Sequence, residues 1–236
     1  MDPRIKPAGD TVAGDMAAPP LHQFTAAERR LIARLRTPAQ VQHWLNCLPY
    51  NKELPPRGGT LRSFRQVVRR GSAHCLEAAL AAACILEQHG YLPLFMTFES
   101  IDNLDHVIFV YRRGERWGSV ARSRDPGLHG RKPVFRTPRA LAMSYFDPYI
   151  DLTGCITGYA IVDLHRLGSY DWRFAPKNMW AVERFLIDIP HRRIRVSPKR
   201  IRRMRARYKD YLERTGRKPL FYRGREKWTE IPREFL

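Results

Sequence analysis

The spacing of apolar residues divides the chain into helical, extended and helical stretches. Residues 1–22 carry Pro, Gly, Ala and Asp without periodicity and are expected to form a disordered tail. Thr25-Ala26-Ala27-Glu28 has the form of a capping box and predicts a helix from Ala26. Thr37-Pro38-Ala39-Gln40 repeats it, with proline at the first helical position, and predicts a helix ending near Cys47. Residues 51–59 read as a loop. Leu61, Phe64, Val67 and Val68 fall on one face of a helix over 60–70. Next comes an Ala-rich run closed by Gly90, with Ser72 as the expected N-cap. Its dense alanines let neighbours approach closely on several sides, which predicts a central position.

The period then changes. Residues 93–98, 106–111 and 117–121 are short, apolar and rich in β-branched and aromatic types, which predicts three sequential antiparallel strands. Gly114-Glu115 makes the last two a hairpin. A helix is expected from Thr137-Pro138 to about Phe146, a strand over 159–164, and a helix over 178–186 anchored by Trp180 and Phe185. A last helix should start at Ser197-Pro198 and close at Gly216. The fold class is therefore α+β: N-terminal helices, a central Cys-bearing helix packed on an antiparallel sheet, and a basic helical C-terminal extension. The expected divisions are a tail over 1–22, an α+β domain over 23–190 and the extension over 191–236.

At 236 residues with 44% hydrophobic types, the chain can bury a substantial core. The longest apolar run, 78–86, is too short to span a bilayer. No compact apolar stretch follows the first basic residues, so a cytoplasmic location is expected. Cys47, Cys75, Cys84 and Cys155 form no C-x-x-C pair and the histidines show no metal-type spacing, so neither metal nor cofactor is expected. The net charge of +19 is concentrated between 192 and 209, where Ile201, Met204 and Tyr208 recur at helical spacing among the arginines. Such a helix can dock by that stripe and offer its basic face to nucleic acid or an acidic partner.

The chemistry points to Cys75. At the start of a helix, unpaired N–H groups and the dipole favour thiolate over thiol. Cys84, in mid-helix among apolar neighbours, reads as core. A thiolate enzyme needs a base, and His106 opens the second strand. A two-residue hairpin loop would pair Arg113 with Arg116, put His106 opposite Ser123, and bring Asp125 onto the same face. His74 does not share a helix face with Cys75 and is read as incidental.

This order of elements resembles the transglutaminase-like branch of the papain-like cysteine enzymes. The likeness rests on Arg70-Gly71-Ser72-Ala73-His74-Cys75-Leu76-Glu77, Asp105-His106-Val107-Ile108 and Arg116-Trp117-Gly118, and covers about 50–164. Leu48 to Asn51 and Ala142 to Phe146 are similar to stretches in a bacterial group of that type. Leu76 and Ile108 stand where the family often has aromatics. The resemblance implies a catalytic Cys75, His106 and Asp125, with Ser119 or Ser123 as other occupants of the third position. It implies thioester formation on an amide or peptide substrate, with the Cys75 N–H in an oxyanion hole completed by Asn51 or Gln66. The alternative is an inactive relative that serves as a basic binding module. The basic loop at 126–132 would favour an acidic substrate if it borders the cleft.

Overall fold

The computed structural model describes residues 18–53, 58–103, 105–219, 227 and 230. Helices α1 (Ala26–Arg34) and α2 (Pro38–Cys47) start at the expected caps. The hydroxyls of Thr25 and Thr37 accept from the N–H of Glu28 and Gln40, whose side chains accept in return from the cap backbone. Helix α3 (Phe64–Arg70) begins later than its apolar face suggests. The N–H groups of Thr60 and Arg62 donate to Glu53 (2.6 Å) and Glu77 (3.0 Å), which holds this stretch outside the helix.

Helix α4 (Cys75–Glu87) is the centre of the molecule. Ala78 to Leu86 have no exposed surface, as a helix apolar on all sides requires. Its C-terminal end is fixed by Arg173, which donates to both oxygens of Glu87 at 2.6 and 2.7 Å.

Six antiparallel strands form one sheet in the order β4-β3-β2-β1-β5-β6. They are β1 (Leu94–Ser100), β2 (His106–Arg113), β3 (Arg116–Val120), β4 (Arg131–Phe135), β5 (Ile156–Asp163) and β6 (Arg192–Arg193). Alternate residues face opposite layers. Phe95, Val107 and Phe109 pack in the α4 layer. Met96, Ile108 and Val110 pack in the layer of α5 (Pro138–Tyr149). Helix α6 (Trp180–Ile187) joins the α4 layer through Val182 and Leu186, while Trp180 is 40% exposed and does not anchor it.

The hairpin has the expected register, Arg113 opposite Arg116. Pairing stops at Phe109–Val120, so the projected partnership of His106 with Ser123 is not reached. The cause is Gln42. Its amide donates to the Ala121 carbonyl and accepts from the Ala121 N–H, both at 2.9 Å, replacing a strand partner. Strand β4 takes up Arg131 and Lys132, the last two residues of the segment read as a basic loop, and continues to Phe135. It is an edge strand with a shifted register, which tolerates Pro133.

Of the expected tail, residues 1–17 lie outside the described residues. From 18 onward the chain rests on the body, with the Pro19 carbonyl accepting from Gln88 at 2.9 Å. Helix α7 (Pro198–Thr215) docks through Ile201, Met204 and Tyr208 as expected, and ends at Gly216 with φ 65°. Arg200 reaches Asp147 at 2.6 Å and Arg205 the Thr153 carbonyl at 2.7 Å, while Lys199, Arg202 and Arg203 face solvent. Most of the extension beyond 219 lies outside the described residues. Among the described residues, no helix is long and apolar enough to cross a membrane.

Candidate active site

The N-cap of α4 is His74, not Ser72, and Cys75 is the first helical residue. Ala73 stays extended because it bridges to Tyr50: its N–H donates to the Pro49 carbonyl and its carbonyl accepts from Asn51. Ser72 instead accepts from Arg62 at 2.9 Å. The shift places Cys75 among the free N–H groups of the helix start. Cys75 is half-buried at the end of the sheet, where α4 and β2 both begin.

There Cys75 is hydrogen-bonded to two imidazoles, His106 and His74. Burial opposes its ionisation, yet those hydrogen bonds and the charges of the two rings outweigh it and lower the thiol to about 5. Cys84 is the contrast, since burial pushes its thiol well above the ordinary range.

His106 is 3% exposed and stacks on Phe98, with ring centroids 6.2 Å apart and planes 10° apart. Its Nε2 lies 3.0 Å from the Leu128 carbonyl oxygen, to which it donates. This leaves Nδ1 to face the thiolate. Leu128 sits in the 123–131 loop, which is cross-linked from below. Arg131, fully buried, donates to the carbonyls of Gly127 and His129, both at 2.6 Å. Tyr145 also donates to the His129 carbonyl, at 3.0 Å. The His129 ring accepts from Arg122 at Nε2 and donates to Asn46 from Nδ1. Burial and the Arg122 charge lower it to about 3, which keeps it neutral, and the Arg122 donor at Nε2 leaves its proton on Nδ1. Gly130 has no room for a side chain, because a Cβ there would lie 2.7 Å from the Ser119 carbonyl and against Gln42.

His74 is a site residue that the sequence reading set aside. The argument that adjacent residues point apart holds inside a helix, but His74 is extended (φ −90°, ψ −176°) and its ring turns back beside Cys75. Its Nε2 donates to the Thr60 carbonyl at 2.8 Å, with Glu77 and Glu53 at 3.5 and 3.8 Å. Burial works against its charge, but the hydrogen bond to Cys75 and the charges of Cys75 and Glu77 raise it to about 9. Between about pH 5 and 9, therefore, a thiolate faces a protonated imidazole. The available signal was the His-Cys pair at a helix cap.

The structure does not bring Asp125 to His106. Its carboxylate takes Lys218 at 3.1 Å, and the Leu128 carbonyl stands where a third catalytic residue was expected. Ser119 is also elsewhere, hydrogen-bonded to Tyr145 at 2.7 Å and accepting from Arg131 N–H. Ser123 is nearer, lining the cleft, where its hydroxyl accepts from the Asp125 N–H. Neither expected partner of the oxyanion hole is aimed at Cys75. Asn51 donates to Thr60 and Glu77, and Gln66 to Pro176. Tyr50 occupies that place, its hydroxyl accepting from the Cys75 N–H. Burial and the Cys75 charge push the phenol up, so it stays protonated.

Cys75, His74, His106 and Tyr50 open onto one cleft of about 1080 Å³, bordered by β1, the loop before β2, the 123–128 segment and α6. Leu128 belongs to its wall, but Arg131 and Lys132 do not, so the basic loop does not bring positive charge to it. Among the described residues, no three His, Cys, Asp or Glu side chains converge as ligands for a metal ion.

No protein-family model matches the chain, and no curated protein matches it. Among solved structures it is similar to LapG of Legionella pneumophila. The calcium-bound form aligns over 48% of this chain and 77% of that one, at 18% identity and a TM-score of 0.32. The EGTA-treated form aligns over 64% and 89%, at 15% identity and a TM-score of 0.36. A third LapG structure aligns over the same shares at 13% identity and a TM-score of 0.36.

Proposed function

We propose that the chain is a cysteine-dependent acyl-transfer or amide-hydrolysing enzyme with Cys75 as nucleophile. The observation that carries this reading is a half-buried cysteine at a helix start, hydrogen-bonded to two imidazoles and open to a cleft. Cys75 sulfur attacks the carbonyl carbon of an amide, and the carbonyl oxygen takes the negative charge. The Tyr50 hydroxyl, which accepts from the Cys75 N–H, donates its own hydrogen to that oxygen. As the C–N bond breaks, the proton carried by His106 passes to the departing amine. A thioester remains. Water then attacks it, giving a proton back to His106 and releasing Cys75 as thiolate; an amine in place of water gives transfer.

The Leu128 carbonyl fixes the His106 ring, the part a carboxylate has in a catalytic triad. A carbonyl orients the imidazole without adding a negative charge. Asp125 keeps a place in the wall of the cleft, with Lys218.

The test is p-nitrophenyl acetate, a small activated ester. A burst of about one equivalent of p-nitrophenolate per chain, with acetyl mapped to Cys75 by mass spectrometry, is expected. Acetylation confined to Cys47 or lysines, unchanged in Cys75→Ala, would overturn the proposal. In the same assay Tyr50→Phe, which removes one oxyanion donor, is expected to slow the burst about 10²-fold.

A further inference from the structure

The cleft and the rest of the chain carry opposite charge. In the whole chain Lys and Arg outnumber Asp and Glu by 42 to 23. Around the cleft the balance inverts, since seven of its lining residues are Asp or Glu and two are Lys or Arg. Three of those carboxylates are Asp105, Asp151 and Glu183, none of which forms an ion pair with a described Lys or Arg. Asp105 and Asp151 are held by backbone N–H groups, those of Ser100 (3.0 Å) and of Thr153 and Gly154 (2.9 and 2.6 Å). These bonds fix the carboxylates in place without pairing them to a cation. Glu183 stands exposed on α6 in the same wall as Trp180 and Ile187, which are 40% and 62% exposed.

A cation of the chain already lies in this cleft. Lys218, just beyond α7, reaches into it and sets its Nζ 3.1 Å from both oxygens of Asp125. The chain's own cation thus occupies one carboxylate of this wall.

We infer that the cleft selects a cationic acyl donor, a peptide carrying Lys or Arg beside the reacting carbonyl. The aliphatic stem of such a side chain lies against Trp180 and Ile187, while its charge meets the fixed carboxylates. This rests on Cys75 being the nucleophile, and it replaces the acidic substrate that the basic loop suggested. The overall positive field draws in anions, so the local inversion sets selectivity at the reacting end.

Charged methanethiosulfonates test it, since they differ in charge but react with thiols in the same way. The probes are the trimethylammonium-ethyl and sulfonatoethyl reagents, with the neutral methyl reagent as reference, all at pH 6. Normalised to 2-mercaptoethanol, Cys75 is expected to prefer the cation about tenfold, as roughly a pKa unit's worth of local charge interaction gives. The ratio should fall toward that of the free thiol in a chain combining Asp105→Asn, Asp151→Asn and Glu183→Gln. As a second measure, acetylated tetralysine amide should slow labelling by the neutral reagent, and tetraglutamate should not. Fast neutral labelling with no cation preference, or with an anion preference, overturns this inference and leaves the nucleophile standing. Neutral labelling no faster than that of 2-mercaptoethanol overturns the nucleophile, and this inference with it.

Discussion

His106→Ala is expected to slow alkylation of Cys75 by iodoacetamide about tenfold at pH 6. At that pH a thiol held near 5 is mostly thiolate. The hydrogen bond from His106 is the first of the influences that lower it, ahead of the bond from His74. Without that support the thiol moves toward the ordinary value of about 8.5, and the thiolate fraction falls by about two to three orders of magnitude. A more basic thiolate is also more nucleophilic, with a Brønsted slope of about 0.4–0.5, which offsets part of the loss. Turnover of an amide is expected to fall further, by about 10²–10⁴-fold, because the departing amine loses its proton donor. Labelling is followed by mass-spectrometric mapping and turnover by amine release. Unchanged labelling in the variant would contradict the pairing of Cys75 with His106.

The second large effect lies in Glu77, which is fully buried one turn into α4. Its carboxylate accepts from the N–H groups of Arg62 (3.0 Å) and His74 (3.1 Å), the Thr60 hydroxyl (2.8 Å) and the Asn51 amide (3.1 Å). The Arg62 guanidinium is 3.7 Å away. One side chain thus gathers the 51–62 segment, the helix cap and His74. Glu77→Ala strands these buried donors together and is expected to cost about 3–5 kcal/mol. Glu77→Gln keeps the shape but turns one acceptor oxygen into an NH₂, so it should cost part of this. Urea unfolding followed by circular dichroism measures both, and a loss under about 1 kcal/mol for the alanine variant would contradict this account.

The elements readable from sequence are those with local causes. Thr25, Thr37, Thr137 and Ser197 cap helices where predicted, because a hydroxyl before a helix start acts within three residues. The Gly114 turn set the hairpin register for a similar reason. The misreadings come from distant partners. Ser72 failed as a cap because Ala73 is drawn into a bridge with Tyr50, and the Ser123 register failed because Gln42 ends the β3 pairing at Ala121.

The candidate site divides in the same way. Cys75 and His106 were legible from helix start and strand start. The Leu128 carbonyl was not, because a backbone oxygen leaves no trace in residue type and is aimed here by the buried Arg131. His74 and Tyr50 were hidden by the one-residue difference between a helical and an extended His74. The charge of the cleft was hidden too, since carboxylates scattered from 53 to 183 meet only in the folded chain.

The most direct test is the pH dependence of Cys75 alkylation in the unaltered chain, mapped against Cys84. A single rise with its midpoint near pH 5, a plateau through neutrality, and no labelling of Cys84 in the folded state are predicted. A midpoint at the ordinary thiol value of about 8.5, or equal labelling of the two cysteines, would contradict a thiolate held ready by His106 and His74.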